Sequence, residues 1–470
     1  MHTIAKRGLS LSITFYAVLH FITYFYEHSM LLHFLAVFGM GIFLFAILSR
    51  TIQKMKLPFG LFLVGFIILI FSETSVIEGL ENGFLHMRNM IGLLVIVPMI
   101  SWVLREEPYM EAIIGLGNKL LNTSRKFYFG VVSFTQIISY FLLFGSIPMM
   151  YHFVNEILKE EKGEAWENFK GTALLRGFAL STFWVISMPN FAFIVEVMDA
   201  SLWISILQGF GMSVCGIIIA LVFSYFDEKR YGVDLTSGLQ TEIEEVVSHS
   251  ANNRQMKRKI IEFALLFFSL FGSIFIVQAI VPVELLVLIP LVVVVWIFIY
   301  YLLKKRPHKL IKKANMYVNH DMSGQSYQLC VMLGAGMMIF ALNQTGFAAF
   351  VVDGIYSLQE MVPFLNILYF LPFIVIILGF FGLGPLTVMV LVGGILGSLD
   401  LPYPPELIVL AVTSGSAISI LLSPLIMPVI VLSGANGLSG FRNGVGFNWK
   451  YAVVIYLTVQ VWVQGLVYLG

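Results

Sequence analysis

Long apolar segments, separated by short polar ones, run along the whole chain. Each holds about 20 residues, enough for a helix to cross a bilayer core of roughly 30 Å. They lack the residue-by-residue alternation of membrane barrel strands. The segments are 8–26, 30–49, 57–72, 84–104, 127–154, 172–198, 201–226, 259–280, 283–303, 326–345, 362–398, 404–432 and 451–469. The pattern predicts an all-α polytopic membrane protein.

Composition excludes a water-soluble enzyme, because 59% of residues are hydrophobic and only 12% are charged, whereas soluble domains are about one-quarter charged. Cys215 and Cys330 lie in separate apolar segments, which indicates neither a disulfide framework nor a metal site. The first apolar run follows a basic start but has no small-residue cleavage site. We therefore expect a retained first helix.

Two segments are interrupted near their middle by a Gly-x-x-Pro sequence. They are 127–154, with Gly145 and Pro148, and 362–398, with Gly382 and Pro385. Such a break lets the chain turn inside the membrane where the loop is enclosed by protein or lines a cavity. The sequence therefore predicts two re-entrant hairpins and eleven spanning helices.

The distribution of basic residues predicts the orientation. With two re-entrant hairpins, 26 of the 28 lysines and arginines lie at cytoplasmic ends or loops, as membrane proteins prefer. The exceptions are Arg88 and Arg176, within apolar segments. We expect a multi-pass protein of the cytoplasmic (inner) membrane, with the N-terminus inside and the C-terminus outside. Positions 124 and 158, which flank the first hairpin, should both be cytoplasmic.

The chain also contains a weak internal repeat. The two Gly-x-x-Pro sites are 237 residues apart, and Ala179-Leu180-Ser181 matches Ala417-Ile418-Ser419 at a spacing of 238. The two halves run in opposite directions through the membrane, and such inverted repeats with broken helices are typical of secondary transporters. The predicted parts are an extra helix 1–29, a first repeat 30–226, a linker 227–258 and a second repeat 259–470, with broken helices at 172–198 and 404–432.

This layout resembles the ion transporter superfamily, which includes the divalent-anion/sodium symporters and the large membrane subunit of TRAP transporters. The resemblance covers residues from about 30 to the end. It implies elevator transport, in which hairpins and broken helices carry an anionic substrate. The symporters have Ser-Asn-Thr at both hairpin tips, whereas this chain has Gly145-Ser146-Ile147-Pro148 and Gly382-Leu383-Gly384-Pro385.

The candidate site combines free backbone N–H groups at half-helix starts with nearby hydroxyls, both of which suit an anion. Glycines at the tips would allow a ligand close to the backbone. The substrate-binding residues that we predict are Gly145, Ser146, Pro148, Arg176, Ser181, Ser187, Asn190, Gly382, Gly384, Pro385, Thr387, Thr413, Ser414, Ser416, Ser419 and Ser423. Small residues also let membrane helices pack closely, and that alternative stays open.

Arg176 is the most informative charge in this set. A membrane arginine is costly and suggests pairing with an anion. No acidic residue lies within one turn on its helix face, since positions three and four away are Thr172, Ala173, Ala179 and Leu180. Its partner is therefore another helix, a lipid phosphate or the substrate. If it holds an anion, replacement by alanine should weaken binding more than replacement by lysine.

The function that these features favour is secondary transport of an anionic substrate, driven by a sodium or proton gradient. An organic anion is the first candidate for that substrate. Two alternatives stay open: a lipid or polyprenyl-phosphate translocator, and a membrane-embedded transferase acting on a lipid-linked substrate. We expect no enzyme activity, no nucleic-acid partner and no cofactor or metal beyond a coupling Na⁺ or H⁺, because the sequence has no Walker motif or His/Cys cluster. A homodimer is left open.

Overall fold

The computed structural model describes residues 2–49, 55–109, 112, 123–158, 163–232, 236, 253–347, 350–351, 353–354, 357 and 366–469. Within these ranges every regular element is a helix. The first helices are α1 (His2–Phe25), α2 (Ser29–Ser49), α3 (Lys56–Ile70), α4 (Val76–Leu85), α5 (Arg88–Ile96), α6 (Ser101–Leu104), α7 (Ser124–Leu142), α8 (Ser146–Ile157), α9 (Glu164–Ser181) and α10 (Pro189–Val197). Then follow α11 (Leu202–Tyr231), α12 (Asn253–Ile280), α13 (Leu285–Leu303), α14 (Pro307–Met316), α15 (Ser326–Asn343), α16 (Ile367–Phe380), α17 (Pro385–Leu396), α18 (Pro405–Leu422), α19 (Met427–Asn436) and α20 (Phe447–Leu469). The chain is an all-α polytopic membrane protein, as its hydrophobic pattern predicts.

The helices form two compact units. The first comprises Met1–Trp102, Ser273–Leu365 and Val390–Leu401, and the second comprises Val103–Gly272, Asn366–Met389 and Pro402–Gly470. In the first unit, α3 packs on α15 and α5 packs on α13. Glycine allows the close approach of α3 and α15: a Cβ on Gly65 would lie 2.6 Å from the backbone of Met338.

The second unit contains α7 to α11, α12 up to Gly272, α16, the first turn of α17, and α18 to α20. Its long helix α11 has one exposed apolar face, formed by Trp203, Leu207, Phe210, Val214 and Ile218, which recur every three or four residues. Its buried face carries small residues that pack against neighbouring helices. This one-sided pattern is that of a helix with lipid on one side and protein on the other.

Ten helical stretches in the described ranges have the length and hydropathy of a membrane span, against eleven predicted. Three segments explain the difference. The predicted span 57–72 is the 15-residue helix α3, the span 172–198 is divided into α9 and α10, and the predicted hairpin forms one apolar stretch, Ser124–Ile157.

The predicted linker 227–258 is too long at both ends. Helix α11 continues through Asp227 to Tyr231, and α12 already begins at Asn253. Helix α11 ends there because Gly232 adopts a left-handed conformation (φ 64°) that closes the last turn, which also contains Lys229 and Arg230. The rest of the predicted linker, apart from Thr236, lies outside the described residues.

Helices in corresponding places of the two predicted repeats make corresponding contacts. In the second unit, α7 packs on α9 as α16 packs on α18, and α9 packs on α11 as α18 packs on α20. A Cβ on Gly177 would lie 2.7 Å from the carbonyl oxygen of Val132, and one on Gly415 would lie 2.7 Å from that of Pro372. These pairs agree with a two-fold repeat, whose boundaries and inverted direction stay predictions.

Candidate functional site

The first Gly-x-x-Pro sequence forms a tight turn between α7 and α8. Helix α7 ends at Leu142, Leu143 adopts a positive φ of 49°, and α8 begins at Ser146. The turn therefore starts before Gly145, whose φ of −67° is open to any residue. Ser146 is buried, and its Oγ lies 2.9 Å from that of Ser139, so the two hydroxyls close the turn. Pro148 is exposed.

The second Gly-x-x-Pro sequence forms the turn between α16 and α17. Gly382 has a φ of 90°, which side chains other than glycine rarely adopt, and a Cβ there would lie 3.3 Å from that of Leu425. Gly384 has no atom near its Cβ position. Pro385 starts α17 and is buried, as is Thr387. Backbone conformation and packing therefore account for Gly382, while Gly384 borders open space.

Both predicted broken helices are interrupted. Helix α9 ends at Ser181 and α10 begins at Pro189, while α18 ends at Leu422 and α19 begins at Met427. Each new helix carries a proline in its first turn, where the missing N–H costs no hydrogen bond. The second break lies at Ser423–Ile426, at the Ser-Pro pair that the sequence indicates.

Each break is hydrogen-bonded to the end of the helix that leads into the preceding Gly-x-x-Pro turn. Ser187 Oγ donates to the carbonyl oxygen of Tyr140 at 2.6 Å. Ser423 Oγ donates to the carbonyl oxygen of Phe380 at 3.4 Å. A carbonyl in the last turn of a helix has no partner within that helix, so each serine satisfies an acceptor that would otherwise be free. The same contact thus occurs twice, at corresponding places of the two predicted repeats.

The two broken helices also meet each other. Asn190 Nδ2, in the first turn of α10, donates to Ser416 Oγ of α18 at 3.3 Å, and both residues are buried. This hydrogen bond connects the first break with the polar stretch of α18. Ser187, Asn190, Ser416 and Ser423 therefore connect the two breaks with each other and with the ends of α7 and α16.

Four other predicted hydroxyls are bonded within their own helices. Ser181, Thr413, Ser414 and Ser419 are buried and donate to carbonyl oxygens three or four residues earlier. A hydroxyl that donates in this way retains lone pairs able to accept a further hydrogen bond. Ser419 also faces Gly379. A Cβ on Gly379 would lie 2.6 Å from the Cβ of Ser419, so the glycine lets α16 and α18 pack closely at this serine.

Arg176 lies in a separate cluster. Its Nε donates to Asn448 Oδ1 at 3.0 Å and its Nη1 to Tyr128 Oη at 3.0 Å, and its Nη2 approaches the carbonyl oxygen of Phe447 at 3.4 Å. The guanidinium carbon is 4.5 Å from the ring centre of Tyr451. Arg176 is fully buried. Of the three partners expected from the sequence, the structure provides the first: neighbouring helices.

A carboxylate completes this cluster. Asp227 of α11 interacts electrostatically with Arg176 and lines a small cavity with Tyr128 and Thr172. Nearer the helix ends, exposed Glu164 accepts a hydrogen bond from Arg442, which holds the pKa of that carboxyl below its ordinary value. The Arg176 cluster lies toward the ends of helices that the sequence predicts to be cytoplasmic.

Several residues of these clusters were not predicted from the sequence. Gln136 Oε1 accepts from Trp184 Nε1 at 2.8 Å and from Ser213 Oγ at 2.7 Å, which joins α7, the first break and α11. The amide side chain of Gln136 within an apolar run is a sequence signal for a polar contact between helices. Tyr128 and Asn448 carried no such signal, because they lie 48 and 272 residues from Arg176 in the chain.

The described residues contain no group of three or more His, Cys, Asp or Glu side chains able to hold a metal ion. Neither a protein-family model nor a curated protein matches the chain. Its fold is similar to that in the crystal structure of the YdaH transporter of Alcanivorax borkumensis, with a TM-score of 0.53 and 14% sequence identity. The match covers 89% of this chain and 98% of the YdaH chain. Membership of the ion transporter superfamily stays a prediction.

Proposed function

We propose that this protein is a secondary active transporter of an anionic substrate that works by an elevator mechanism, with an organic anion as the first candidate for the substrate. The observation that carries the proposal is the repeated contact between hairpin turn and helix break, made by Ser187 and by Ser423. The likeness to the YdaH transporter fold supports it. The second unit, which contains both breaks and both turns, is the part that we propose to carry the substrate.

The chemistry of the turns and breaks supports an anion as the substrate. The stretches 139–148, 181–190, 380–387 and 413–428 contain no charged residue. Helices α8, α10, α17 and α19 begin there, and the start of a helix offers free N–H groups and the positive end of its dipole. Backbone and hydroxyl groups would then bind the substrate, without any charged side chain.

We propose that the site contains the predicted residues at the turns and breaks, apart from Arg176. Ser187, Asn190, Ser416 and Ser423 are its best-supported members, because their hydrogen bonds join the elements that form it. We also propose an inverted repeat, insertion in the cytoplasmic membrane with the N-terminus inside, and coupling to a sodium or proton gradient.

The substrate class can be tested with the purified protein. A thermal-shift screen would compare acetate, lactate, succinate, citrate, inorganic phosphate and a polyprenyl phosphate, with and without sodium, because a ligand of the native state raises its stability. We expect a small carboxylate to raise Tm and to be taken up by proteoliposomes under an ion gradient. Stabilisation by the polyprenyl phosphate alone would instead favour the lipid-phosphate translocator.

The site is tested by a matched pair of serine variants. Ser187→Ala removes the hydrogen bond between break and turn, whereas Ser181→Ala removes one within α9. We expect Ser187→Ala to reduce uptake of the screened carboxylate strongly and Ser181→Ala to reduce it less. Equal uptake by Ser187→Ala and the unmodified protein would contradict a role for the turn-to-break contact.

The re-entrant path of the first hairpin is tested by cysteine labelling. Ser124 and Leu158 are buried, so their exposed neighbours Lys126 and Glu156 are better positions. In a background with Cys215 and Cys330 replaced by serine, cysteines at 126 and 156 should both react only from the cytoplasmic side. A cysteine at the exposed Ser201 should react from outside. Reaction of positions 126 and 156 from opposite sides would exclude the hairpin.

A further inference from the structure

Arg176 is a buried cation whose hydrogen-bond partners are all neutral. A buried charge in a membrane protein is costly unless an opposite charge compensates for it. Asp227 is the carboxylate placed to supply that charge: it lines the same cavity as Tyr128, which accepts a hydrogen bond from Arg176. Two ion pairs lie nearby and are neutral as pairs: Lys170 with Glu167, and Arg442 with Glu164. The net charge of the Arg176–Asp227 pair therefore depends on whether Asp227 carries a proton.

Asp227 is placed where it can exchange a proton with water. It is half-buried, and the cavity that it lines has room for about one water molecule. Tyr128 borders the same cavity, accepts a hydrogen bond from Arg176 and donates one to Thr172 at 3.1 Å. Asp227 also lies in the last two turns of α11, at the end that we predict to be cytoplasmic.

We propose that Asp227 binds the coupling proton and that its charge balance with Arg176 links the proton to the substrate, an inference that rests on the proposed transport function. With Asp227 ionised and no substrate bound, the pair is neutral. When a carboxylate oxygen of Asp227 binds one proton, the pair carries a charge of +1, and a bound monoanion restores neutrality in the second unit. Only the empty deprotonated form and the protonated, substrate-loaded form are then neutral. Charged forms cross the membrane much less readily, so proton and anion move together.

The charged and titratable groups around Asp227 are few. Helix α9 contributes Arg176, α7 contributes Tyr128 and α20 contributes Lys450, while α11 itself adds Glu228, Arg230 and Tyr231. The fourth helix packed on α11 is α18, which has no titratable side chain between Leu407 and Leu422. Of these groups, Arg176 and Tyr128 are fully buried, and Arg176 is the one of the two that carries a charge.

Transport by Asp227→Asn is the first test, because asparagine resembles the protonated acid. The probe is the carboxylate that gives the largest thermal shift in the screen above. In proteoliposomes with the same pH inside and outside, we expect this variant to keep exchange of labelled for unlabelled probe. When a pH gradient is applied, we expect it to lose the accumulation of probe that the gradient drives in the unmodified protein. Glu228→Gln is the matched control, because Glu228 lines the same cavity and hydrogen-bonds Ser124. It should keep both activities, and Asp227→Glu should recover pH-driven accumulation.

Proton binding itself is the second test and needs no substrate. Infrared spectra of the reconstituted protein during an acid titration should show a protonated-carboxyl band that is lost in Asp227→Asn and kept in Glu228→Gln. The same band in Asp227→Asn, or pH-driven accumulation by that variant, would overturn the proposal. If no anion is transported by the unmodified protein, the proposed function fails, while the infrared comparison still decides whether Asp227 binds a proton.

Discussion

Replacement of Gly209 by alanine is expected to destabilise the second unit and to displace the first helix break. Gly209 lies in α11, where a Cβ would clash with the carbonyl oxygen of Phe183 and would lie 3.4 Å from the Cβ of Trp184. The contacting atom belongs to the backbone, so no side-chain rotation can relieve the clash. Overpacking of this kind costs roughly 1–3 kcal/mol. Thermal unfolding of the purified protein should show a lower Tm, and uptake should fall with it.

A neighbouring glycine provides the control. Gly211 lies on the same helix with no atom within 4 Å of its Cβ position. Alanine there should leave Tm unchanged or raise it, because alanine favours a helix interior over glycine by up to about 1 kcal/mol. A Tm for Gly209→Ala equal to that of Gly211→Ala would show that α11 does not pack against the break as described.

Proline and glycine made the interrupted helices predictable from the sequence. Pro189 and the Ser423-Pro424 pair indicate where α9 and α18 give way to new helices, since proline removes a donor and restricts the preceding residue. The exact turns were less predictable. The turn between α7 and α8 starts at Leu143 rather than Gly145, because a residue without special propensity takes the positive φ there.

The composition of the candidate site was predictable, but its connections were not. Ser187 and Ser423 are visible in the sequence as hydroxyls near a break, whereas their partners are the carbonyl groups of Tyr140 and Phe380. Any residue supplies a backbone carbonyl, so nothing in the side-chain pattern marks these acceptors. The same limit applies to Arg176, whose partners come from helices distant in sequence.

Replacement of Arg176 by alanine should cost stability before it costs substrate affinity. The guanidinium hydrogen-bonds Asn448 and Tyr128 at 3.0 Å and contacts the ring of Tyr451. Hydrogen bonds to a charged group contribute about 1.5–3 kcal/mol each, so the loss of two implies destabilisation of at least about 3 kcal/mol. The variant should therefore show a markedly lower Tm and poorer expression.

Arg176→Lys distinguishes an anchoring role from a substrate-binding role. Lysine keeps the charge but lacks the planar fork, so it cannot reach Asn448 and Tyr128 in the same geometry. If Arg176 anchors α9 to α7 and α20, the lysine variant should recover only part of the Tm that the alanine variant loses. Both variants should then bind the screened carboxylate with an unchanged Kd, measured by titration calorimetry on folded protein. A Kd weakened by alanine and restored by lysine, with little change in Tm, would instead place Arg176 at the anion, because charge alone would then be the property that matters.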